Sequence, residues 1–235
     1  GRFINFCLYL IGVKSDSIGT QEMNQDWIDL LACLLGDYDS YGVIRGGDDS
    51  ERKSKMNAVF WLKDKYTAEK KDTFWLSKTP DEESRYEGAG CHRVCTWVLL
   101  TNKQTGEQYI HMNTHLDNAS EEAANYGAEV ITSKIDELRS LYGVPIVLSG
   151  DFNEFEGMPA YNTVAELLQE TRLAAAKTET KTTYQGWGDV NTGKPIDFIF
   201  TDNDIPVSQY KVLDDTSNGY VSDHNGIMAD ISFAE

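Results

Sequence analysis

The sequence carries four short polar strings, and each of them follows an apolar, β-prone run or opens the next one. They are residues 113–117 (Asn-Thr-His-Leu-Asp), 150–153 (Gly-Asp-Phe-Asn), 196–200 (Ile-Asp-Phe-Ile-Phe) and 222–224 (Ser-Asp-His). Carboxylate, amide and imidazole groups placed at successive strand ends converge on one rim of a sheet, where they can share a metal ion and a phosphate. Two of the four histidines of the chain fall in these strings. This concentration predicts an enzyme site.

Hydrophobic periodicity predicts helices and strands that are separated by polar turns. Helices are expected at residues 3–13, 25–35, 120–142 and 158–168, with Asn24 as the N-cap of the second and Gly143 as the C-terminal cap of the third. Strands are expected at residues 17–21, 41–44, 57–61, 73–76, 94–100, 108–113, 146–148, 196–201, 207–213 and 226–233. This order predicts an α+β fold in which two stacked mixed sheets lie between outer helices. Since no repeat or linker interrupts the chain, we expect residues 1–235 to form a single domain.

The formal net charge of −17, from 38 acidic against 21 basic residues, limits the partners that this chain can bind. Duplex nucleic acid is held mainly through phosphates neutralised by Lys and Arg, and an acidic surface repels those phosphates. The charge therefore favours a phosphorylated small molecule or a short nucleic acid as substrate, and it disfavours long duplex DNA. Every apolar stretch is shorter than the roughly 20 residues that cross a bilayer, so we expect no membrane span.

The four cysteines lack the paired spacing that is typical of metal sites. Cys91 and Cys95 bracket His92 without a second pair of ligands nearby, which favours ordinary half-buried thiols over a zinc site. Nothing in this cysteine usage demands an oxidising compartment, so the cytoplasm is favoured, although the start of the sequence leaves a leader segment open. We expect a monomer.

With these strings in place, the chain resembles the endonuclease/exonuclease/phosphatase superfamily of metal-dependent phosphoesterases. The resemblance begins at residues 15–22 (Ser-Asp-Ser-Ile-Gly-Thr-Gln-Glu), which are similar to the family's PDIIGLQE. It continues through residues 73–80 and 93–97, which look like an uncharacterised bacterial subgroup, and then takes in all four polar strings. The resemblance implies a four-layer α/β/β/α sandwich that hydrolyses phosphate esters with Mg²⁺ or Mn²⁺.

The metal ligands follow from this resemblance and from the chemistry of hard cations. Mg²⁺ prefers oxygen ligands and keeps several waters, so one or two carboxylates suffice. Glu22 is the first-choice ligand, and Asp223 supports it directly or through water. Asp151 either holds a second metal ion or orients and deprotonates the attacking water. We expect the Asn153 amide, on the same side of the segment as Asp151, to donate to a phosphate oxygen.

The remaining site residues are assigned by their hydrogen-bonding chemistry. Asp197 and His224 are predicted to form a dyad, in which the carboxylate fixes the imidazole tautomer and raises its basicity. His115 is expected across the phosphate, donating to a non-bridging oxygen or protonating the leaving group. Asn113 and Asp117 are expected to flank His115. Arg93 is predicted to hold a phosphate oxygen with its permanently charged, fork-shaped guanidinium.

Two departures from the family pattern limit what the resemblance carries over. Family members have a further strand before the first helix, and this strand contains an Asn at the metal site. The present sequence starts at Gly1-Arg2-Phe3, so we expect a domain that is N-terminally incomplete and lacks its first strand. The subgroup also has a Gly-Arg-Asp-Asp-Gly run followed by Gly-Glu. Here residues 45–57 read differently, so substrate contacts through that loop are not carried over.

Three functions compete at this stage. The leading one is a divalent-metal-dependent phosphodiesterase or phosphatase that works by in-line attack of an activated water. The second is a nuclease or deadenylase-like exonuclease, in which Trp75, Tyr184 and Trp187 could stack bases if they rim the cleft. The third is an inactive binding member of the fold, which the retained site residues argue against.

Overall fold

The computed structural model describes residues 12–47, 54–217 and 219–233. Its helices are α1 (Gln25–Leu34), α2 (Glu121–Tyr142), α3 (Pro159–Ala165) and α4 (Thr171–Ala174), with a 3₁₀ turn at Gly186–Gly188. Its strands are β1 (Ser17–Gly19), β2 (Tyr38–Tyr41), β3 (Val59–Leu62), β4 (Tyr66–Trp75), β5 (Val94–Asn102), β6 (Gln108–His115), β7 (Ile146–Asp151), β8 (Gln169–Glu170), β9 (Asp197–Thr201), β10 (Val207–Leu213) and β11 (Gly226–Ile231). The helix predicted at residues 3–13 lies almost wholly outside the described residues.

The two best-formed helices begin and end where their capping residues predict. The Asn24 side chain accepts a hydrogen bond from the Trp27 amide at 3.0 Å, and the Ser120 hydroxyl accepts one from the Ala123 amide at 3.1 Å. Both bonds satisfy backbone donors that the first helical turn leaves open. Gly143 ends α2 with a φ of 61°, a conformation that glycine adopts without steric strain. The predicted caps are confirmed.

The strands of the described residues form three sheets. The largest has six strands in the order β4-β5-β6-β7-β9-β8, and only the β6–β7 pair in it is parallel. A three-stranded antiparallel sheet has the order β1-β3-β2, and β10 pairs with β11 in a two-stranded one. Gly19 of β1 lies so close to the larger sheet that an added Cβ would come within 2.5 Å of the Asn113 and Ser149 side chains. Only glycine permits this approach.

Three apolar clusters separate the layers of the molecule. One side of the six-stranded sheet packs against α2 and α3 through residues such as Ile131, Ile135 and Phe200. The opposite side packs through Val98 and Tyr109 against β3 and the end of β11. A third cluster joins α1 to the outer face of the three-stranded sheet. Each sheet face therefore buries its apolar side chains against a neighbouring layer, and the predicted α/β/β/α sandwich is confirmed.

Strand boundaries differ from the prediction mainly at the sheet edge. β4 begins at Tyr66 instead of residue 73, since its first half carries charged residues on an edge strand and shows no clean alternation. A register irregularity between Thr67 and Lys70 further obscures the pattern. β2 lies at Tyr38–Tyr41, three residues earlier than predicted, because Tyr38 is the buried residue that pairs with Leu62. Within the described part of the chain, no helix has the length and apolar character of a membrane span.

Candidate active site

The polar strings meet at one edge of the six-stranded sheet. His115, Asp151 and Asp197 are consecutive register partners at the ends of β6, β7 and β9. His224 lies just before β11 and reaches this edge through a bridge to Tyr184. The parallel β6–β7 pairing brings two strand ends to the same edge, and the antiparallel β9 adds its first residue there. The sheet topology therefore gathers residues that are far apart in sequence.

The four ionisable side chains at this edge contact one another. His224 Nδ1 lies 2.8 Å from Asp197 Oδ2, which is the predicted dyad geometry. Asp151 Oδ2 lies 3.3 Å from His115 Nε2 and 3.7 Å from His224 Nε2. Asp151 therefore sits between two imidazoles, and one of them is fixed by a second carboxylate.

Burial and the neighbouring charges alter the acidity of these groups. Burial, together with the nearby Asp197 carboxylate, raises the pKa of Asp151 to about 7. Burial opposes protonation of His224, but the hydrogen bond and charge of Asp197 outweigh it and raise the His224 pKa to about 9. Burial, reinforced by the charges of Arg93 and Arg45, lowers the pKa of His115 well below its ordinary value. Near neutral pH, His224 is thus a cation, His115 is neutral, and Asp151 titrates.

The turn after β7 positions Asn153 beside Asp151. The Asn153 amide N–H donates to Asp151 Oδ1 at 2.9 Å, and its side-chain Nδ2 donates to the Leu116 carbonyl at 3.0 Å. Asn153 has a φ of 53°, and Glu22 has a φ of 59°. Left-handed backbone is uncommon for residues other than glycine, and it concentrates at functional sites. One Asn153 side-chain N–H remains for a ligand.

The predicted metal ligands fall into two sets. Among the described residues, the group whose potential ligand atoms all lie within 4.8 Å of one another consists of Asp151, Asp197 and His224. Glu22 and Asp223 lie outside this group. Glu22 is exposed and directly follows Gln21, whose side chain donates to Asn113 Oδ1 at 2.7 Å on the inner face of β6. The oxygen-rich donors and the repulsion between Asp151 and Asp197 fit a hard divalent cation.

Arg93 is buried beside this edge and is held by two partners. Its Nε donates to Asp117 Oδ2 at 3.3 Å, and its Nη2 donates to Asn118 Oδ1 at 2.9 Å. Its Nη1 is buried without a hydrogen-bond partner among the described residues. A guanidinium with one unsatisfied buried donor is a candidate site for an anion, because the unmade hydrogen bond is unfavourable until a ligand accepts it.

Asn113 and Asp117, predicted to bind substrate, use their polar atoms on protein partners. The Asn113 amide nitrogen donates to the Thr20 and Ala58 carbonyls, and its oxygen accepts from Gln21 and from the Ser149 hydroxyl. The Asp117 carboxylate accepts from three backbone amides as well as from Arg93. The first side chain therefore joins the two sheets, and the second orients Arg93.

Two features near the site are not evident from the polar strings. Arg45, at the start of the loop of residues 45–57, is only 4% exposed, and its charge helps to lower the pKa of His115. The Tyr184 ring contacts the His224 ring edge-on with centroids 5.1 Å apart. The Arg-Gly-Gly sequence at residues 45–47 is a weak signal for Arg45, since such a run is also typical of an exposed turn.

The chain is similar to known proteins in sequence and in fold. A sequence profile of the Endonuclease/Exonuclease/phosphatase family matches residues 8–224. No curated protein sequence gives a significant match. A mannosyl-6-phosphatase from Bacteroides thetaiotaomicron has a similar structure, with a TM-score of 0.92, 28% identity, and coverage of 99% of this chain and 91% of that chain.

Two further solved structures are similar over nearly the whole chain. A Bacteroides vulgatus endonuclease/exonuclease/phosphatase gives a TM-score of 0.90 and 29% identity, covering 99% of this chain and 90% of that one. TDP2 from D. rerio, complexed with a single-strand DNA product, gives 0.75 and 15% identity, covering 99% and 92%, which is a likeness of fold. Enzymes of this fold family are hydrolases of phosphate esters and are generally dependent on divalent metals. The chain belongs to the endonuclease/exonuclease/phosphatase family.

Proposed function

We propose that the protein is a divalent-metal-dependent hydrolase of phosphate esters that acts on small phosphorylated substrates. The observation that carries this proposal is the contact of Asp151 with two imidazoles, one of which is paired with Asp197 at 2.8 Å. Such an arrangement supplies a base, a fixed cation and a neutral donor around one point. Each of the three assists attack of water on phosphorus.

The side chains divide the chemistry according to their protonation states. Asp151, with a pKa of about 7, accepts a proton from the attacking water near neutral pH. His224, held by Asp197, presents a protonated Nε2 to a phosphate oxygen, where negative charge increases in the transition state. His115 stays neutral and donates one N–H to a non-bridging or leaving oxygen. The Asn153 amide donates to the phosphate as well.

Carboxylates would hold the metal ion. Glu22 would be its main ligand in this proposal, and Asp223 or Asp151 would supply further oxygens. The Glu22 carboxylate has no hydrogen-bond or ion-pair partner among the residues that the structure describes, which leaves it available for coordination. Bound Mg²⁺ or Mn²⁺ would neutralise phosphate charge and lower the pKa of a coordinated water. Asn113 and Asp117 act as positioning residues.

The substrate class is inferred from charge and from similarity. The chain carries a net charge of −17, so its overall field favours a single phosphate in a cationic pocket over a polyanion. The similarity to a mannosyl-6-phosphatase makes sugar phosphates the first compounds to test. A monomeric enzyme is consistent with a site built from one chain.

One observation favours a nuclease as the second candidate. Tyr184 and Trp187 are 40% and 45% exposed, and the Tyr184 ring contacts His224. Exposed aromatic rings beside a catalytic centre can stack nucleobases. Trp75 is half-buried and donates its Nε1–H to the Arg45 carbonyl at 2.8 Å. Its side chain therefore holds the loop that carries Arg45 and is less suited to stack a base.

A substrate panel tests the proposal. Sugar phosphates, nucleotides, small phosphodiesters, single-stranded RNA and duplex DNA are compared with Mg²⁺, Mn²⁺ or EDTA. The expected result is metal-dependent release of phosphate or alcohol from a small ester, lost in EDTA and in His224→Ala. The matched control is Tyr220→Phe, an exposed residue outside the proposed machinery. Undiminished turnover in EDTA, or equal turnover by His224→Ala, would contradict the proposal.

A further inference from the structure

We propose that Arg45 and Arg93 form a closed, cationic end of the site that selects a terminal phosphoryl group, so that the protein prefers phosphate monoesters to diesters. In this inference Arg45 is a specificity-determining residue. The inference rests on the proposed function, because both concern the same site, and it names the substrate class for that chemistry.

Both arginines are attached to the end of β4. The Trp75 side chain donates to the Arg45 carbonyl at 2.8 Å, and the Leu76 amide donates to the Arg93 carbonyl, also at 2.8 Å. Trp75 itself pairs with Val94, the residue after Arg93. The two backbones therefore converge on the last residue of β4 and the residue that follows it. Through β5 and β6, this strand end lies at the same edge of the sheet as His115.

The loop that carries Arg45 is held by close contacts at two glycines. Gly46 and Gly47 have φ values of 80° and 107°, in the region that favours glycine. A Cβ on Gly46 would come 2.1 Å from the Glu83 carboxylate, and one on Gly47 would come 2.8 Å from His92 Nδ1. The Gly47 amide also donates to the Glu83 carboxylate at 3.0 Å. This packing places the loop directly against the segment that precedes Arg93.

The side chains at this end of the site are buried. Arg45 and Arg93 are 4% and 6% exposed, and His115 is 7% exposed. Arg93 donates to Asp117, two residues after His115, and the Arg45 loop packs against His92, so both arginines lie at the end of the site that contains His115. Arg93 Nη1 is buried and has no partner among the described residues. Arginine stays charged when buried, so two such groups create a strong local attraction for an anion.

The chemistry of the anion follows from the charge and from the closure. A monoester dianion presents three non-bridging oxygens and up to two charges, which suit two guanidinium groups. A diester has one charge, and its second ester group must occupy the place of one of those oxygens. At a closed end lined by buried arginines, the second ester group of a diester would have no room or would displace a guanidinium.

A matched pair of substrates tests this selection. 4-Nitrophenyl phosphate and methyl 4-nitrophenyl phosphate share a leaving group and differ by one methyl ester. Wild-type protein with Mg²⁺ or Mn²⁺ is expected to prefer the monoester. Arg45→Ala should lower kcat/KM for the monoester by roughly 30-fold or more, the scale of a hydrogen bond to a charged group, and lower it for the diester by less than about 5-fold. Equal losses would overturn the proposal.

Direct binding gives a second readout that does not depend on turnover. Calorimetry with inorganic phosphate in the presence of Mg²⁺ is expected to show binding weakened about 10-fold or more by Arg45→Ala. Arg85→Ala, which removes an exposed positive charge, is the control and should bind phosphate as wild type does. Unchanged phosphate binding by Arg45→Ala would also overturn the proposal.

The outcomes separate this inference from the proposed function. If wild-type protein hydrolyses neither ester with either metal, the proposed function fails, and phosphate binding still decides whether the arginine pocket exists. If it hydrolyses both esters and Arg45→Ala leaves their ratio unchanged, only the inference fails. Because the Arg45 loop is held through backbone groups, Arg45→Ala is expected to fold. Should its melting temperature fall sharply, Arg45→Gln keeps most of the side-chain volume and replaces it in both assays.

Discussion

Replacing Asp151 with asparagine should make the metal-free protein more stable at pH 8 while abolishing its activity. The Asp151 carboxylate is buried, and this burial, together with the nearby Asp197 carboxylate, raises its pKa from 3.8 to about 7 against the opposing charge of His224. A carboxyl whose pKa is raised on folding binds its proton more tightly in the folded protein. Its ionisation therefore destabilises the fold progressively as the pH rises from 3.8 to about 7, and fully above that range.

The size of the effect follows from this pKa. Each pKa unit corresponds to about 1.4 kcal/mol, so the ionised carboxylate costs about 4 kcal/mol at pH 8. Asparagine removes this charge and keeps the oxygen that accepts from the Asn153 amide. Since His224 loses an attractive neighbour in exchange, we expect a net gain of about 2 kcal/mol. For a protein of this size that gain raises the melting temperature by about 4–8 °C.

Thermal melting in excess EDTA at pH 8 and pH 5 measures the effect. The advantage of Asp151→Asn should shrink at pH 5, where the folded wild-type carboxyl is mostly protonated. Asp117→Asn is the matched control, because Asp117 is equally buried but accepts hydrogen bonds from four N–H groups. This control should melt at a lower temperature than wild type. An Asp151→Asn protein that melts below wild type at pH 8 would refute the reasoning.

The remaining predictions concern turnover. Asp197→Asn and His224→Ala should each lower kcat by roughly two orders of magnitude, and the double mutant should be little worse than His224→Ala, because the pair acts as a unit. Multiplicative losses in single-turnover kinetics would contradict the dyad. Glu22→Gln should weaken the binding of Mg²⁺ or Mn²⁺, which is seen as a higher metal concentration for half-maximal activity. An unchanged metal titration would remove Glu22 as a ligand. Between about 50 and 200 mM salt, kcat/KM for a small ester should change little, whereas tight, steeply salt-dependent cleavage of duplex DNA would favour the nuclease.

Local sequence signals were sufficient for much of the fold. Asn24 and Gly143 mark helix ends because capping depends on residues adjacent in sequence. The alternation of apolar residues locates the buried strands for the same reason. The first half of β4 was not predicted, because this charged edge strand is specified by its pairing with β5. Such pairing is a tertiary property that periodicity does not contain.

The residues of the candidate site also divide into those that local sequence indicates and those that depend on tertiary contacts. His115, Asp151, Asp197 and His224 stand in polar strings at strand ends, so the sequence alone indicated that they would meet. Their individual assignments remain proposals. Arg45 could not be placed from the sequence, because its position depends on long-range contacts of its loop with Glu83, His92 and β4.

Arg93 and Asp151 place opposite charges at this edge of the sheet, and these charges connect the stability of the free protein with its proposed function. Arg93 Nη1 is buried without a hydrogen-bond partner among the described residues, and burial opposes ionisation of the Asp151 carboxyl. Both features are unfavourable in the free protein, and each is relieved by a different component of the reaction. In the proposed function, a phosphate oxygen would accept the free hydrogen bond of the arginine, and a divalent cation or a proton from water would neutralise the carboxylate. A ligand that corrects both features binds the folded state alone and stabilises it by mass action. In the proposed function, relief of these two unfavourable features would therefore contribute to the affinity for a phosphate next to a metal ion.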